Sequence, residues 1–437
     1  MFKKAEHRSP WLFVPTLAFA LGIPLIIATQ VATMMYASLG MSNKAIGMLS
    51  ILGLPIAFNV FFAPFVDSWG TKRNWIIATQ LTLVVCLLAL TACMLLNFHV
   101  IGISIVLVGV LALASGVFSI PGSGFFVDAL TKEEQGFFVG INTASIRLAI
   151  IFTTGVLVII SGKFAEKVDN VCYGWGLFYG MCAAVVLMIT VWHWFAMPYP
   201  QVVKAAKKQG YLEPFKEFFT QKSVILLILF ILLFRLGEGI LTTMATPFFL
   251  NSADKGGLAM TVAQVGFAKG TVGVAASIVG GIFAGFFLKS NYKKMVVIFA
   301  ICMMAPKVLY IYLAHSQPQD TTLLNFSFIP MLWGSSSQWT TEINLQILSA
   351  IAIETFGYGM GYTAFCSLVF RVANDSKYRA TYISIAMALQ NLGWTFSGFI
   401  SGFIQNAVGY EMLFTLSIVL SIPGIVLLLL LIKTRNV

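Results

Sequence analysis

The chain has 437 residues, of which 59% are hydrophobic and 10% charged, with a mean hydropathy of +0.90. Soluble domains carry about 25% charged residues, so this chain has too few to cover a water-facing surface, and a soluble enzyme or nucleic-acid-binding domain is excluded. The apolar runs are continuous rather than alternating, which excludes a β-barrel and leaves an all-α membrane protein. The net charge of +11 is then a topology signal, because loops on the cytoplasmic side of a membrane are enriched in Lys and Arg.

At about twenty apolar residues per crossing, the sequence predicts twelve transmembrane helices, near 11–35, 44–67, 74–97, 99–128, 137–162, 172–197, 223–249, 261–289, 294–315, 343–372, 378–406 and 409–432. The basic start before Trp11 lacks a small-residue cleavage site, so the first run reads as a permanent helix. Of the 27 Lys and Arg residues, 19 fall in the tails and in the loops on their side, and four (Lys44, Lys163, Lys167, Lys255) on the other. That asymmetry predicts cytoplasmic N- and C-termini. The remaining four, Arg147, Arg235, Lys269 and Lys307, lie inside spans.

The longest connection on the basic side, 198–222, contains the amphipathic LEPFKEFF (Leu212–Phe219) and divides the chain into two six-helix halves, 1–197 and 223–437. A weak repeat supports the division: FAPFVDSWGTKR (Phe62–Arg73) is matched by FAGFFLKSNYKK (Phe283–Lys294), each ending a span and placing two bases after a turn. The long outer connection Ser316–Glu342 carries Trp333 and Trp339 and reads either as a cap over an outer vestibule or as an irregular segment with interfacial tryptophans.

Ionisable side chains deep in a membrane mark functional sites. The seventh span, SVILLILFILLFRLGEGILTTMATPFF (Ser223–Phe249), holds Arg235 and Glu238 three residues apart, on one helix face. At a rise of ~1.5 Å per residue, Arg235 lies about 18 Å into a core of ~30 Å. Arg147 and Lys307 reach a similar depth from the same side, and Lys269 and Glu354 from the other. Four bases against two acids favour an anionic substrate: Arg147, Arg235 and Lys269 are the candidate anion-binding residues, and Glu238 and Glu354 the candidate proton carriers. Lys307 is the weakest candidate. Gln390, Asn391 and Trp394 add amide and aromatic groups suited to a sugar; Gln30, Asn59, Gln80 and Asn142 are further polar residues within spans. The competing reading makes Arg235–Glu238 and Lys269–Glu354 permanent pairs that only hold helices together. Gly281/Gly285, Gly398/Gly402 and Gly357/Gly359/Gly361 read as helix-packing glycines, the last group also as a point of bending. Asp67 with Lys72 and Arg73, and Asp128, lie at inner helix ends where acid–base pairs can form in one of two states and act as gates; simple capping is the alternative. The six cysteines show no metal or disulfide spacing. No catalytic constellation, metal cluster or nucleotide-binding loop stands out, so no cofactor is expected; the two buried acids make a proton gradient the expected driving force.

The loop Asp67-Ser-Trp-Gly70-Thr-Lys72-Arg73 resembles the cytoplasmic signature of the major facilitator superfamily. More narrowly, the chain resembles the AmpG muropeptide permease family through LSILGLPIAFNVFFAPFVDSW, FFVDALTKEEQG (Phe125–Gly136), INTASIRLAI (Ile141–Ile150), LFRLGEGI (Leu233–Ile240), AKGTVGVAASIVGG (Ala268–Gly281) and ETFGYGMGYTAF followed by RVAN and ATYISIAMAL. The resemblance implies a major facilitator fold and proton-driven import of anhydromuropeptides across the bacterial inner membrane for peptidoglycan recycling, by a monomer whose two halves rock about a midplane site. Arg147, Arg235, Glu238, Lys269 and Glu354 fall on polar positions of the family pattern. Arg235 and Glu238 replace the Lys and Asp usual there, and Lys307 has no evident counterpart. An importer of another anionic ligand, such as a siderophore or an acyl-CoA-type metabolite, shares much of the pattern. A receptor-like or scaffold membrane protein is the reading from a different class.

Overall fold

The computed structural model describes residues 8–54, 71–97, 99–199, 213–221, 223–288, 291–318, 323–327, 340–374 and 379–435. Contacts group the chain into two units, residues 1–39 with 52–207 and residues 40–51 with 208–437. The segment 40–51, expected in the N-terminal half, thus packs as part of the second unit.

In the first unit, the helical span α1 (Pro10–Ser38) is followed by α3 (Lys72–Leu96), α4 (Val100–Ala129), α5 (Lys132–Ile150), α6 (Val158–Val168) and α7 (Val171–Ala196), with α2 (Asn43–Met48) belonging to the second unit. These bounds lie close to the spans expected from hydropathy, except that the fifth span, α5 through α6, starts five residues before the expected 137 and ends six after the expected 162. Its start is set by a capping box: the Thr131 hydroxyl accepts from Glu134 N–H and the Glu134 carboxylate accepts from Thr131 N–H. Widened π-helical turns interrupt α1 at Ile27–Val31 and join α5 to α6 at Ile151–Leu157. α3 packs on α4 and α7, and α1 on α5. Between them lies a buried polar contact that hydropathy does not reveal: His193 on α7 bridges Thr16 (3.0 Å) and the Gln80 side chain (3.0 Å).

The second unit holds α8 (Glu213–Thr220), α9 (Val224–Phe234), α10 (Leu236–Leu250), α11 (Val262–Phe287), α12 (Tyr292–Met304), α13 (Val308–Ser316), α14 (Leu345–Asn374), α15 (Arg379–Val419) and α16 (Ile422–Arg435). α8 is the amphipathic stretch expected in the linker. Its Phe218 is buried on the Tyr382 ring at 5.0 Å, while Lys216 and Phe219 are exposed. α15 carries Gly409 at φ 77, a conformation open to glycine, and the chain turns there with no intervening loop. The long connection expected on the outer side contains an antiparallel pair, β1 (Leu323–Ser327) with β2 (Thr340–Asn344) in the register Leu323 to Asn344. Trp333 and Trp339 lie outside the described residues, as does most of the Phe62–Arg73 repeat.

Among the described residues nine helical stretches are long and apolar enough to cross a membrane, and one of them, Tyr382–Thr434, is 53 residues long, enough for two crossings. α14 is as long as a span but diluted by Glu354, glycines and tyrosines. Exposed Val85, Val106, Phe195, Ile225 and Phe286 give the helices the apolar outer faces that lipid requires.

Glycine sets how closely the second unit packs. A Cβ on Gly359 of α14 would fall on the Ser277 carbonyl oxygen of α11, and one on Gly357 on the Cys302 carbonyl of α12. The Gly357/Gly359/Gly361 group therefore sits at helix crossings, and α14 runs straight through it as regular helix. Gly285, expected to act with Gly281, faces open space. Gly359→Ala should destabilise the protein by about 1–3 kcal/mol, whereas Gly285→Ala should stay within about 0.5 kcal/mol of the parent. Thermal unfolding of the two purified variants in detergent measures the contrast.

Candidate functional site

The expected seventh span is broken where its charge sits. α9 ends at Phe234, Arg235 adopts φ −104 and ψ 7, and α10 begins at Leu236. The same holds for the other two bases expected inside spans of the second unit. Lys269 lies on a π-helical stretch, Gly266–Gly273, inside α11. Lys307 ends a 3-10 turn, Ala305–Lys307, where Pro306 supplies no N–H and α12 gives way to α13. Ser421, which receives Lys307, lies in the break between α15 and α16.

These breaks gather four ionisable groups. Lys307, 1% exposed, places Nζ 3.4 Å from Glu238 Oε2 and donates to Ser421 Oγ at 3.1 Å. Ser421 in turn donates to the Ser417 carbonyl at 2.8 Å. The other Glu238 oxygen accepts from Thr242 Oγ1 at 3.1 Å. Glu354, buried on α14, is hydrogen-bonded by the phenol of Tyr310. Half-buried Lys269 donates to Thr246 Oγ1 at 2.8 Å and to the Thr242 carbonyl at 3.3 Å, within electrostatic reach of both carboxylates. Glu238 can enter this crowd because glycine flanks it on both sides. A Cβ on Gly237 would meet the Ser417 carbonyl and Ser421 hydroxyl, and one on Gly239 the Ser397 hydroxyl.

The pairing differs from that expected. Arg235 and Glu238 do share a helix region, but Arg235 turns its guanidinium into three aromatic rings, Trp394 at 4.4 Å, Tyr362 at 4.9 Å and Tyr358 at 5.3 Å, all within cation–π range. Its Nη2 donates to the Tyr358 hydroxyl at 2.9 Å, and its Nε has no hydrogen-bond partner among the described residues. Glu238 takes Lys307 instead, because the turn at Arg235 rotates the two side chains apart. Neither does Lys269 form an ion pair with Glu354; its ammonium is held by α10. Lys307, the weakest candidate from sequence, is the closest cation to either acid. Tyr310, Tyr358, Tyr362, Thr242 and Ser421 were missed; the helical offset of Tyr358 and Tyr362 from Glu354 could have found those two, and no such signal marks Tyr310 or Ser421.

Gln390 is buried with Oε1 unpartnered, Asn391 and Trp394 are half-buried on the same helix, and Trp394 closes the box around Arg235. Arg147 lies in the last turn of α5, half-buried in the first unit, and makes no ion pair among the described residues. Of the candidate gate residues, Asp67 lies outside the described residues, and Asp128 is placed only as backbone near the end of α4. Lys72, at the start of α3, lies against Gly124 of α4. Arg73 is buried and donates to the Trp194 and Met197 carbonyls at 2.5 and 3.3 Å, with Tyr199 beneath it at 4.1 Å. It satisfies the free carbonyls at the C-terminus of α7, where a cation complements the helix dipole.

The arrangement is a small polar centre of two acids and the bases around them inside an apolar bundle. It contains no group of three or more His, Cys, Asp or Glu that could hold a metal among the described residues.

Comparison with known proteins follows the same line. The family model described as Major Facilitator Superfamily matches residues 12–342. The anhydromuropeptide permease of Escherichia coli (strain K12) is 24% identical over 436 residues, covering 97% of this chain and 79% of that protein. A crystal structure of a D-xylose–proton symporter superposes with a TM-score of 0.68 at 11% identity, covering 95% of each chain. A bacterial homologue of the human lysosomal transporter Spinster, in an inward-facing and unoccupied conformation, gives 0.66 at 16% identity over 99% of this chain and 98% of its own. The structural likenesses speak for the fold, and the family match spans most of the sequence: the chain is a multi-pass membrane transporter belonging to the Major Facilitator Superfamily.

Proposed function

We propose that the protein is a proton-coupled importer of anhydromuropeptides in the bacterial inner membrane, with both termini cytoplasmic. The observation that carries this reading is Arg235: a buried cation with an unpartnered N–H, boxed by Trp394, Tyr358 and Tyr362. A guanidinium offers a planar fork to a carboxylate, and aromatic faces suit the apolar side of a sugar ring. An anhydromuropeptide joins both chemistries in one molecule. The name of the 24% identical Escherichia coli relative supports that substrate, and the distribution of Lys and Arg supports the orientation. In this reading Arg235, Lys269 and Arg147 attract the anion, Gln390, Asn391 and Trp394 contact the sugar, and Glu238 or Glu354 carries the proton. The transporter works as a monomer on a small molecule, and its energy comes from the proton gradient rather than from a cofactor.

Proteoliposomes with an inward proton gradient should accumulate labelled anhydromuropeptide, and a protonophore should abolish accumulation. Insensitivity to the protonophore would overturn the coupling; uptake of ferric siderophore in place of anhydromuropeptide would overturn the substrate. Arg235→Lys keeps the charge but loses the planar fork and its stacking. It should lower uptake at least tenfold at limiting substrate, an effect of about 1.4 kcal/mol or more, and near-normal uptake would remove Arg235 from the binding site.

A further inference from the structure

We propose that Lys307 is a positioning residue that keeps Glu238 charged, so that the transported proton is taken up at Glu354. This rests on the reading as a proton-coupled importer and assigns the roles of its two acids.

Both carboxyls are buried, 2% exposed at Glu238 and 3% at Glu354, yet their surroundings differ. Glu238 has an ammonium 3.4 Å from one oxygen and the Thr242 hydroxyl on the other. Glu354 has a hydrogen bond from Tyr310 and, among the described residues, no Lys or Arg forms an ion pair with it; one oxygen of each acid, Glu354 Oε1 and Glu238 Oε2, lacks a hydrogen-bond partner there, so the counter-ion is the difference. The cation expected to pair with it, Lys269, is engaged by Thr246 and Thr242. A buried charge is tolerated when a counter-ion and hydrogen bonds surround it, and is costly otherwise.

The surroundings of Lys307 make it a holder of Glu238. Glu238 and Arg235 face it from the seventh span, Glu354 from α14 and Ser421 from the break before α16. Ser421 donates its own hydrogen to the Ser417 carbonyl, leaving its oxygen free to accept from Lys307. Lys307 is thus clamped between a hydroxyl oxygen and a carboxylate. The step itself is simple: a proton adds to the Glu354 carboxylate to give the neutral acid, and the pair Glu238–Lys307 keeps its charges.

Infrared difference spectroscopy of the purified protein across a pH step reads the acid C=O band without any substrate. The expected result is a buried-carboxyl band that disappears in Glu354→Gln, persists in Glu238→Gln and persists unchanged in Lys307→Arg. Lys307→Gln, which leaves Glu238 without its counter-ion, should add a second band, and the double variant Lys307→Gln/Glu238→Gln should lose that addition. If Glu354→Gln does not fold, Tyr310→Phe should shift the frequency of the first band by removing the phenol donor. In proteoliposomes Lys307→Gln should reduce gradient-driven uptake at least tenfold, with its pH profile displaced, and the double variant should recover part of it. A band lost in Glu238→Gln but kept in Glu354→Gln, or a Lys307→Gln spectrum identical to the parent, overturns the assignment. The spectra stand apart from transport: band behaviour as expected with uptake indifferent to a protonophore would sink the coupled-importer reading and leave the charge assignment intact.

Discussion

The contact between Lys307 and Glu238 is the constraint around which the second unit is arranged. Two charges so deeply buried gain from each other only if geometry is good and their remaining hydrogen-bonding capacity is met. Ser421 meets part of it for Lys307 and Thr242 for one Glu238 oxygen, while Glu238 Oε2 has only the ammonium at 3.4 Å among the described residues. Removing one partner of such a pair typically costs about 3–5 kcal/mol, because the other is left buried and uncompensated. The pair therefore constrains its neighbours. Gly237 and Gly239 cannot carry side chains, and the break before α16 must present Ser421.

Helix irregularity is how the bundle meets that constraint. A continuous α-helix spends every backbone N–H and carbonyl on itself and points each side chain at a fixed angle. The seventh span breaks at Arg235, α11 widens into a π-helix at Lys269, and a 3-10 turn carries Lys307. π-helical turns recur at functional sites because they redirect side chains without ending the helix. In the first unit the π-helical turn Ile151–Leu157 begins four residues after Arg147, so the same device accompanies the charge there. Three bases of the second unit thus sit at positions where the helix departs from regularity, while Glu354, on the regular part of α14, is approached by its neighbours.

The sequence made the outline legible for a simple reason. Twenty-residue apolar runs have one stable fate in a bilayer, and intramembrane charges are rare enough to stand out. Hydropathy located α3, α4, α7 and α14 to within about two residues, and depth alone brought Glu238, Lys269, Lys307 and Glu354 to one level. Partner choice was not legible. The three-residue spacing of Arg235 and Glu238 implies a shared face only if the helix is continuous, and the break at Arg235 removes that premise. Lys307 ranked low because it lacked a counterpart in the resemblance, yet its ammonium lies 3.4 Å from Glu238, the one ion pair of the described residues that involves either buried acid. The β1–β2 pair was hidden in a connection read for its tryptophans, and Gly409 joins two spans in a single residue, where hydropathy expects a loop. The packing of residues 40–51 with the second unit depends on contacts distant in sequence, such as Asn43 donating to Gln405 at 2.8 Å and to the Tyr410 hydroxyl at 2.7 Å.

Under the proposed coupled import, charge counting links proton and substrate. Arg235, Lys269 and Lys307 face two carboxylates, so the second unit's polar centre carries one positive charge when both acids are ionised. Neutralising Glu354 raises that to two. A site of higher positive charge binds an anion more tightly, and a bound anion, by the same interaction, makes the added proton cheaper to hold. Such mutual reinforcement is required by linkage: whatever factor protonation contributes to substrate affinity, the substrate returns to proton affinity. In that proposal the clamp on Glu238 matters because it keeps the second acid from absorbing the change. Were Glu238 free to take the proton instead, Lys307 would be left unpaired in the same interior, and part of the energy that couples proton to substrate would be lost in desolvating it.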